Sequence, residues 1–180
     1  EPVIFMKPDS SIIPKNQPFF IPAFSNNIHH EVELVVKINR IGKHIDKKFA
    51  HKYYRDLTVG LDFTARDIQN ELRGKGFPWE KSKGFDNSAL IGEWLNKDDF
   101  SDINNIDFHL TKNDKICQNS NSSKMIWKID EIISYVSKFF TLKIGDLIFT
   151  GTPSGVSKLV ENDILEGFIQ NKKCFNVKIK

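Results

Sequence analysis

Apolar and polar positions are arranged most tellingly in Ile28–Ile38, I-H-H-E-V-E-L-V-V-K-I. Val32, Leu34, Val35, Val36 and Ile38 are apolar and mostly β-branched, which predicts a strand. Successive side chains of a strand point to opposite faces, so Glu31 and Glu33 share a face, ~7 Å apart at Cα. Leu57–Phe63, L-T-V-G-L-D-F, predicts a second strand, with Asp62 near its end and Gly60 as a bulge or a close backbone approach. The T-A-R-D that follows places Thr64 as a helix N-cap with Asp67 three residues on, and predicts a helix over Ala65–Lys75 that ends at Gly74 and Gly76. The clearest helix is Ile126–Phe140, where Ile129, Ile132, Ile133, Val136 and Phe140 recur at helical spacing.

Weaker signals fill the rest of the chain. Val3–Lys7 reads as a short strand running into Pro8, Lys37–Lys43 as the start of a hairpin, and His44–Tyr54 as a short helix. Trp79–Gly92 reads as a long loop and Glu93–Asn105 as a polar linker. Asp107–Asn119 predicts a hairpin turning at Asn113-Asp114, followed by a loop over Asn119–Ser123. A strand after Gly145-Asp146 ends in G-T-P-S-G, and Asp163–Lys180 predicts a last hairpin with Asn171-Lys172 at its turn. Strands outnumber helices and no βαβ alternation occurs, so the expected class is β-rich α+β.

Composition narrows this picture. A chain of 180 residues, 39% hydrophobic and 27% charged, is long enough to bury a core. The net charge of +3 is modest and the lysines are scattered, which argues against a nucleic-acid partner. No apolar run approaches the ~20 residues of a membrane span. Cys117 and Cys174 lie far apart and form no zinc pattern; read as free thiols, they place the protein in the cytoplasm.

Candidate chemistry begins with the two glutamates. Neighbouring carboxylates on one face repel unless water screens them or a cation lies between them. Hard oxygen ligands suit Mg2+, Mn2+ or Ca2+ better than zinc. Taken alone, E-x-E also describes a solvated strand face. On the predicted helix, Arg66 and Gln69 fall on one side at i and i+3.

Four segments together carry a resemblance: H-H-E-V-E-L, then L-D-F-T-A-R-D-I-Q, then K-G-F-P-W-E-K-S-K-G-F-D, then I-S-Y-V-S-K-F-F-T-L-K-I-G-D-L-I-F-T-G-T-P-S-G-V. In this order, over nearly the whole chain, they resemble the fumarylacetoacetate hydrolase family, and within it the small branch of acylpyruvate hydrolases and oxaloacetate decarboxylases. The resemblance implies a mixed, rolled β-sheet with a few short helices, one catalytic domain over residues 1–180, and a homodimer. It implies Mg2+ (or Mn2+) held by Glu31, Glu33 and Asp62, with Lys83 as the active-site lysine and Lys81 as its rival should the register slip. Arg66, Gln69 and Thr152 match substrate-facing positions, and Lys7 is a further candidate for the same pocket. His30 is read as supporting the metal strand, not ligating.

The implied chemistry is C–C cleavage of acylpyruvates, β-diketo acids or oxaloacetate, by hydrolysis or decarboxylation through a metal-stabilised enolate. Two alternatives stand beside it. One is an isomerase or tautomerase of hydroxymuconate-like dioates or oxaloacetate; the other is a non-catalytic 2-oxo acid or metal-binding module. In this branch a general-base His with a partner Glu comes from an N-terminal lid. No His precedes His29, so the expectation is a domain without its lid, able to bind metal and ligand but crippled in turnover.

Overall fold

The computed structural model describes residues 1–180. Its strands are β1 (Ile28–His29), β2 (Val32–Ile38), β3 (Tyr54–Asp62), β4 (Thr64–Ala65), β5 (Ala89–Ile91), β6 (Leu95–Asn96), β7 (Asp107–Lys112), β8 (Lys115–Asn121), β9 (Leu147–Phe149), β10 (Ile164–Ile169) and β11 (Lys172–Lys178). Its helices are α1 (Lys47–Ala50), α2 (Arg66–Lys75), α3 (Glu80–Lys83) and α4 (Ile129–Phe139). One sheet has the order β5-β3-β2-β9, with β6 also on β3; a second has the order β11-β10-β7-β8; β1 and β4 form a small third pair. The strand pairings are antiparallel, and isolated parallel bridges join Ile12 to Ala89 and Phe19 to Ile179. The class is α+β, strand-rich, with a curled sheet.

Register decides what the first sheet offers. Val32 pairs with Leu61 and Glu33 with Gly60. Alternation then sends Val32, Leu34, Val36 and Ile38 of β2, with Leu57, Val59 and Leu61 of β3, into one core. Burying each such side chain is worth roughly 1.5–3 kcal/mol, so this register is strongly specified. The same alternation turns Glu33, Val35, Gly60 and Asp62 to the other face. Gly60 has to be glycine: a Cβ there would lie 2.5 Å from the Leu90 carbonyl oxygen and 2.9 Å from Phe149. It marks a close approach, not a bulge, because the ladder slips only between Lys37 and Ile38. β10 and β11 of the second sheet pack over β3. α4 buries Ile129, Ile132 and Ile133.

Several expectations change. The Ile28–Ile38 segment is two strands, because β1 leaves to pair with β4 while β2 pairs with β3 and β9. Val3–Lys7 forms no strand; Pro2 and Pro8 remove two donors, and the segment is held by the Lys7 side chain instead. Thr64 does not cap α2, whose N-cap is Ala65; Thr64 belongs to β4, and Asp67 accepts from Ser25 and Asn26. β2 and β3 are joined by a long connection containing α1, with Gly42 bridged to Leu142, and not by a tight hairpin. The expected loop Trp79–Gly92 contains α3 and β5, the expected linker contains β6, and β8 runs on to Asn121. Asn113 and Asp114 (φ 52° and 62°) turn the β7–β8 hairpin where expected. The β10–β11 turn falls one residue earlier, with Gln170 at φ 50°.

Candidate active site

Glu31 precedes β2, yet its carbonyl accepts from Asp62 N–H at 2.9 Å, which extends the β2–β3 ladder by one rung. Glu31, Glu33 and Asp62 therefore stand on one face, one carboxylate oxygen of each within 4.8 Å of the others, all buried. Three carboxylates this close, out of water, repel strongly unless cations lie among them.

Three cations reach the cluster. Lys83, at the end of α3 and 3% exposed, directs its ammonium at Glu31 Oε2 and Asp62 Oδ2, 2.7 Å from each, and at Thr64 Oγ1 at 2.6 Å. Those contacts use all its N–H donors. Lys81, its rival, is exposed. Lys7 ion-pairs with Asp62 Oδ1 at 2.8 Å and is anchored by Ser88 O and Oγ at 3.0 and 2.9 Å. Arg66 donates to Glu31 Oε1 and to Gln69 Oε1, so the i, i+3 pair of α2 is a hydrogen-bonded unit facing the carboxylates. Thr152 sits one residue beyond Gly151, whose N–H donates to Glu33 Oε2 at 2.6 Å. Thr152 Oγ1 donates to the Val32 carbonyl at 2.9 Å. Gly151 lies at φ 97°, a conformation that favours glycine.

The electrostatics are unequal. Burial pushes the Glu31 carboxyl up, but Lys83 and Arg66 together outweigh it and hold it below its ordinary value. Burial lowers Lys83, and Asp62 and Glu31 overcome that and raise it. Burial wins at Lys7, which is lowered despite Asp62. Glu33 touches no cation. Burial, then the charges of Asp62 and Glu31, push its carboxyl up to about 8, against the Gly151 N–H. Asp62 Oδ1 is buried and meets the Lys7 ammonium as an ion pair at 2.8 Å. A buried carboxylate that touches no cation, Glu33, beside two more in an all-oxygen set, fits a hard divalent cation.

The two nearby histidines are each held by neighbours outside the cluster, His30 through both ring nitrogens and His29 through Nε2 alone. His29 is held by Asn27 Oδ1 at 3.0 Å. His30 is buried between Gln118 Oε1 at 2.9 Å and Ser157 Oγ at 2.8 Å, and burial lowers its pKa. Reading the sequence alone misses Thr64, Ser88 and Gln118. Gln118 is a polar residue inside a predicted hairpin and carries no local signal of burial.

A strand-rich α+β roll with a buried carboxylate trio and a lysine among it defines a class of small-molecule enzyme. Residues 1–178 match the sequence profile of the fumarylacetoacetate (FAA) hydrolase C-terminal family. The mouse (Mus musculus) mitochondrial oxaloacetate tautomerase FAHD1 is 40% identical over 180 residues, which are all of this chain and 81% of the mouse protein. The mitochondrial oxaloacetate decarboxylase of Dictyostelium discoideum is 40% identical over 167 residues, 92% of this chain and 77% of that protein. The crystal structure of fumarylpyruvate hydrolase from Pseudomonas aeruginosa, in complex with Mn2+ and pyruvate, superposes with a TM-score of 0.92 at 34% identity, covering 97% of this chain and 77% of that one. The chain belongs to the fumarylacetoacetate hydrolase family, and it is an enzyme.

Proposed function

We propose that this protein is a metal-dependent enzyme acting on a small 2-oxo or β-diketo acid, with oxaloacetate and acylpyruvates as the substrate class. The observation that carries the reading is the buried trio Glu31, Glu33 and Asp62. In this reading they hold Mg2+ or Mn2+. The bound ion would polarise the keto oxygen and favour the enolate.

The chain's own residues do the rest. Lys7, Lys83 and Arg66 balance the three carboxylates, so a divalent ion leaves the site with two positive charges in excess. A dianionic dicarboxylate neutralises that excess better than a monoanion does. Arg66, pre-ordered by Gln69, offers its planar donors to a carboxylate. Lys83 Nζ can turn one N–H from Thr64 Oγ1 toward developing negative charge. Thr152 and the Gly151 turn close the pocket beside Glu33. C–C cleavage would leave the electron pair of the broken bond on the keto group as an enolate, with CO2 departing in decarboxylation or water adding to the distal carbonyl in hydrolysis, and the enolate would then take up a proton.

A second reading, oxaloacetate tautomerisation, draws on a specific observation. It needs proton transfer but no activated water, and His30 beside the carboxylates is already committed on both ring nitrogens to Gln118 and Ser157, while His29 holds Asn27 through one. Residues 1–180 act as one catalytic domain in either case. A homodimer belongs to the same proposal, and the exposed Trp127, Phe139, Phe140 and Ile144 on and around α4 support it.

The test is turnover of oxaloacetate and acetylpyruvate with Mg2+ or Mn2+, following enol absorbance and CO2 release separately, beside Glu33→Ala. Metal-dependent turnover lost in the variant is expected. Metal-independent or unchanged turnover would overturn the reading.

A further inference from the structure

Gln118 lies on β8 in the second sheet, yet it reaches the strand that carries the carboxylates. It is 1% exposed, and its amide is fully engaged. Oε1 accepts from Val32 N–H at 3.1 Å and faces His30 Nδ1 at 2.9 Å. Nε2 donates to Thr152 Oγ1 at 2.9 Å and to the Pro153 carbonyl at 3.0 Å. Two acceptor positions and two N–H groups are all that such an amide has.

The directions of these bonds are not free. A backbone N–H can only donate and a carbonyl can only accept, so Val32 and Pro153 together fix which end of the amide is oxygen. Oε1 then requires a proton on His30 Nδ1. In the neutral ring, Nε2 accepts from the Ser157 hydroxyl, whose oxygen in turn accepts from Lys112 Nζ at 3.0 Å. At the other end, Thr152 Oγ1 gives its single proton to the Val32 carbonyl and accepts from Gln118. That hydroxyl therefore meets a ligand only as an acceptor.

The same turn carries the Gly151 N–H that supports Glu33, and Gly155 rests on β8 so closely that a Cβ would lie 2.2 Å from the Cys117 carbonyl oxygen. We infer that Gln118 is a positioning residue: its amide ties the Gly151–Gly155 turn to the carboxylate strand and sets the direction of the chain His30–Gln118–Thr152. This inference rests on the metal-enzyme reading only for its effect on turnover; the hydrogen-bond directions stand on the geometry.

The experiment combines wild type with Gln118→Glu and the apolar isostere Gln118→Met. Imidazole nitrogen NMR of the wild-type protein reads the His30 tautomer without any variant. Thermal melting checks folding, calorimetry reads Mn2+ affinity in the absence of substrate, and kcat and KM for oxaloacetate are separated. The expected results are a proton on His30 Nδ1, folded variants, Mn2+ binding weaker by about tenfold, and kcat lower by about 10- to 100-fold. A His30 that carries its proton on Nε2 alone would overturn the inference. So would a folded Gln118→Glu with wild-type Mn2+ affinity, kcat and KM. A wild-type protein without metal-dependent turnover would overturn the functional reading instead, and the His30 tautomer with the Mn2+ affinities then decides this one.

Discussion

At the scale of single residues, Glu33 is the least balanced group in the site. Its carboxyl has an ordinary value of 4.5 and is pushed up to about 8 in the fold by burial and by the charges of Asp62 and Glu31. Between those values the folded chain keeps a proton that the unfolded chain has lost. The contribution of Glu33 to the stability of the metal-free protein should therefore fall as pH rises from about 5 to about 8. Melting curves of wild type and Glu33→Gln in chelator across this range check it: the wild type should lose stability relative to the variant as pH rises, and a constant difference between the two would contradict it. Lys83 is the converse case. Its ammonium bridges Glu31 and Asp62 inside the protein, so Lys83→Met leaves two buried charges without their shared partner. Loss of a single partner from a buried ion pair costs roughly 3–5 kcal/mol. Urea unfolding of the metal-free variant should show a loss of that size, and an unchanged midpoint would mean that Lys83 is not the counter-ion it resembles.

At the scale of elements, the β2–β3 register places the chemistry. The alternation of V-E-L-V-V-K-I was legible, and so was the E-x-E face, because a strand's period of two is written directly in the residue order. Asp62 was legible as the end of the next strand, and its place opposite Glu31 follows from the pairing. What local pattern could not carry was long-range. Thr64 has the sequence of a cap, but pairing of β4 with β1 takes it away from α2 and places its hydroxyl under Lys83. Gln118 enters the site from another sheet, a relation that spacing cannot express. Lys7 was legible as a lysine after an apolar run, but its segment is anchored by side chains and not by a ladder. The register also makes Gly60 a sensitive point. Gly60→Ala would drive a methyl into the Leu90 carbonyl and Phe149, 2.5 and 2.9 Å away. Overpacking of this kind costs about 1–3 kcal/mol. A matching fall in the denaturation midpoint is expected, and a neutral substitution would show that β3 and β5 can part without penalty.

At the scale of the whole molecule, the fold covers a charged face as thoroughly as its apolar one. One face of β2 and β3 is core; the other is roofed by the Lys7 segment, α3 and the Gly151–Gly155 turn. The roof supplies cations and backbone N–H groups in place of methyl groups. That arrangement suits an enzyme whose ligand is small and anionic, and it explains why the carboxylates are drier than surface acids. Large exposed apolar side chains near α4, among them Ile126 at 87% and Ile144 at 67%, lead to an expected mass of two chains in sedimentation. A protein that stays monomeric at micromolar concentration would remove the dimer from the account.

The most direct test is a calorimetric Mn2+ titration of the chelator-treated protein beside Glu33→Ala, with the fold of each checked by circular dichroism. The account predicts one ion bound per chain in the wild type, with proton release near neutral pH, and binding abolished in the folded variant. Equal binding by both proteins, or none by the wild type, would contradict the assignment of Glu31, Glu33 and Asp62 as the metal site.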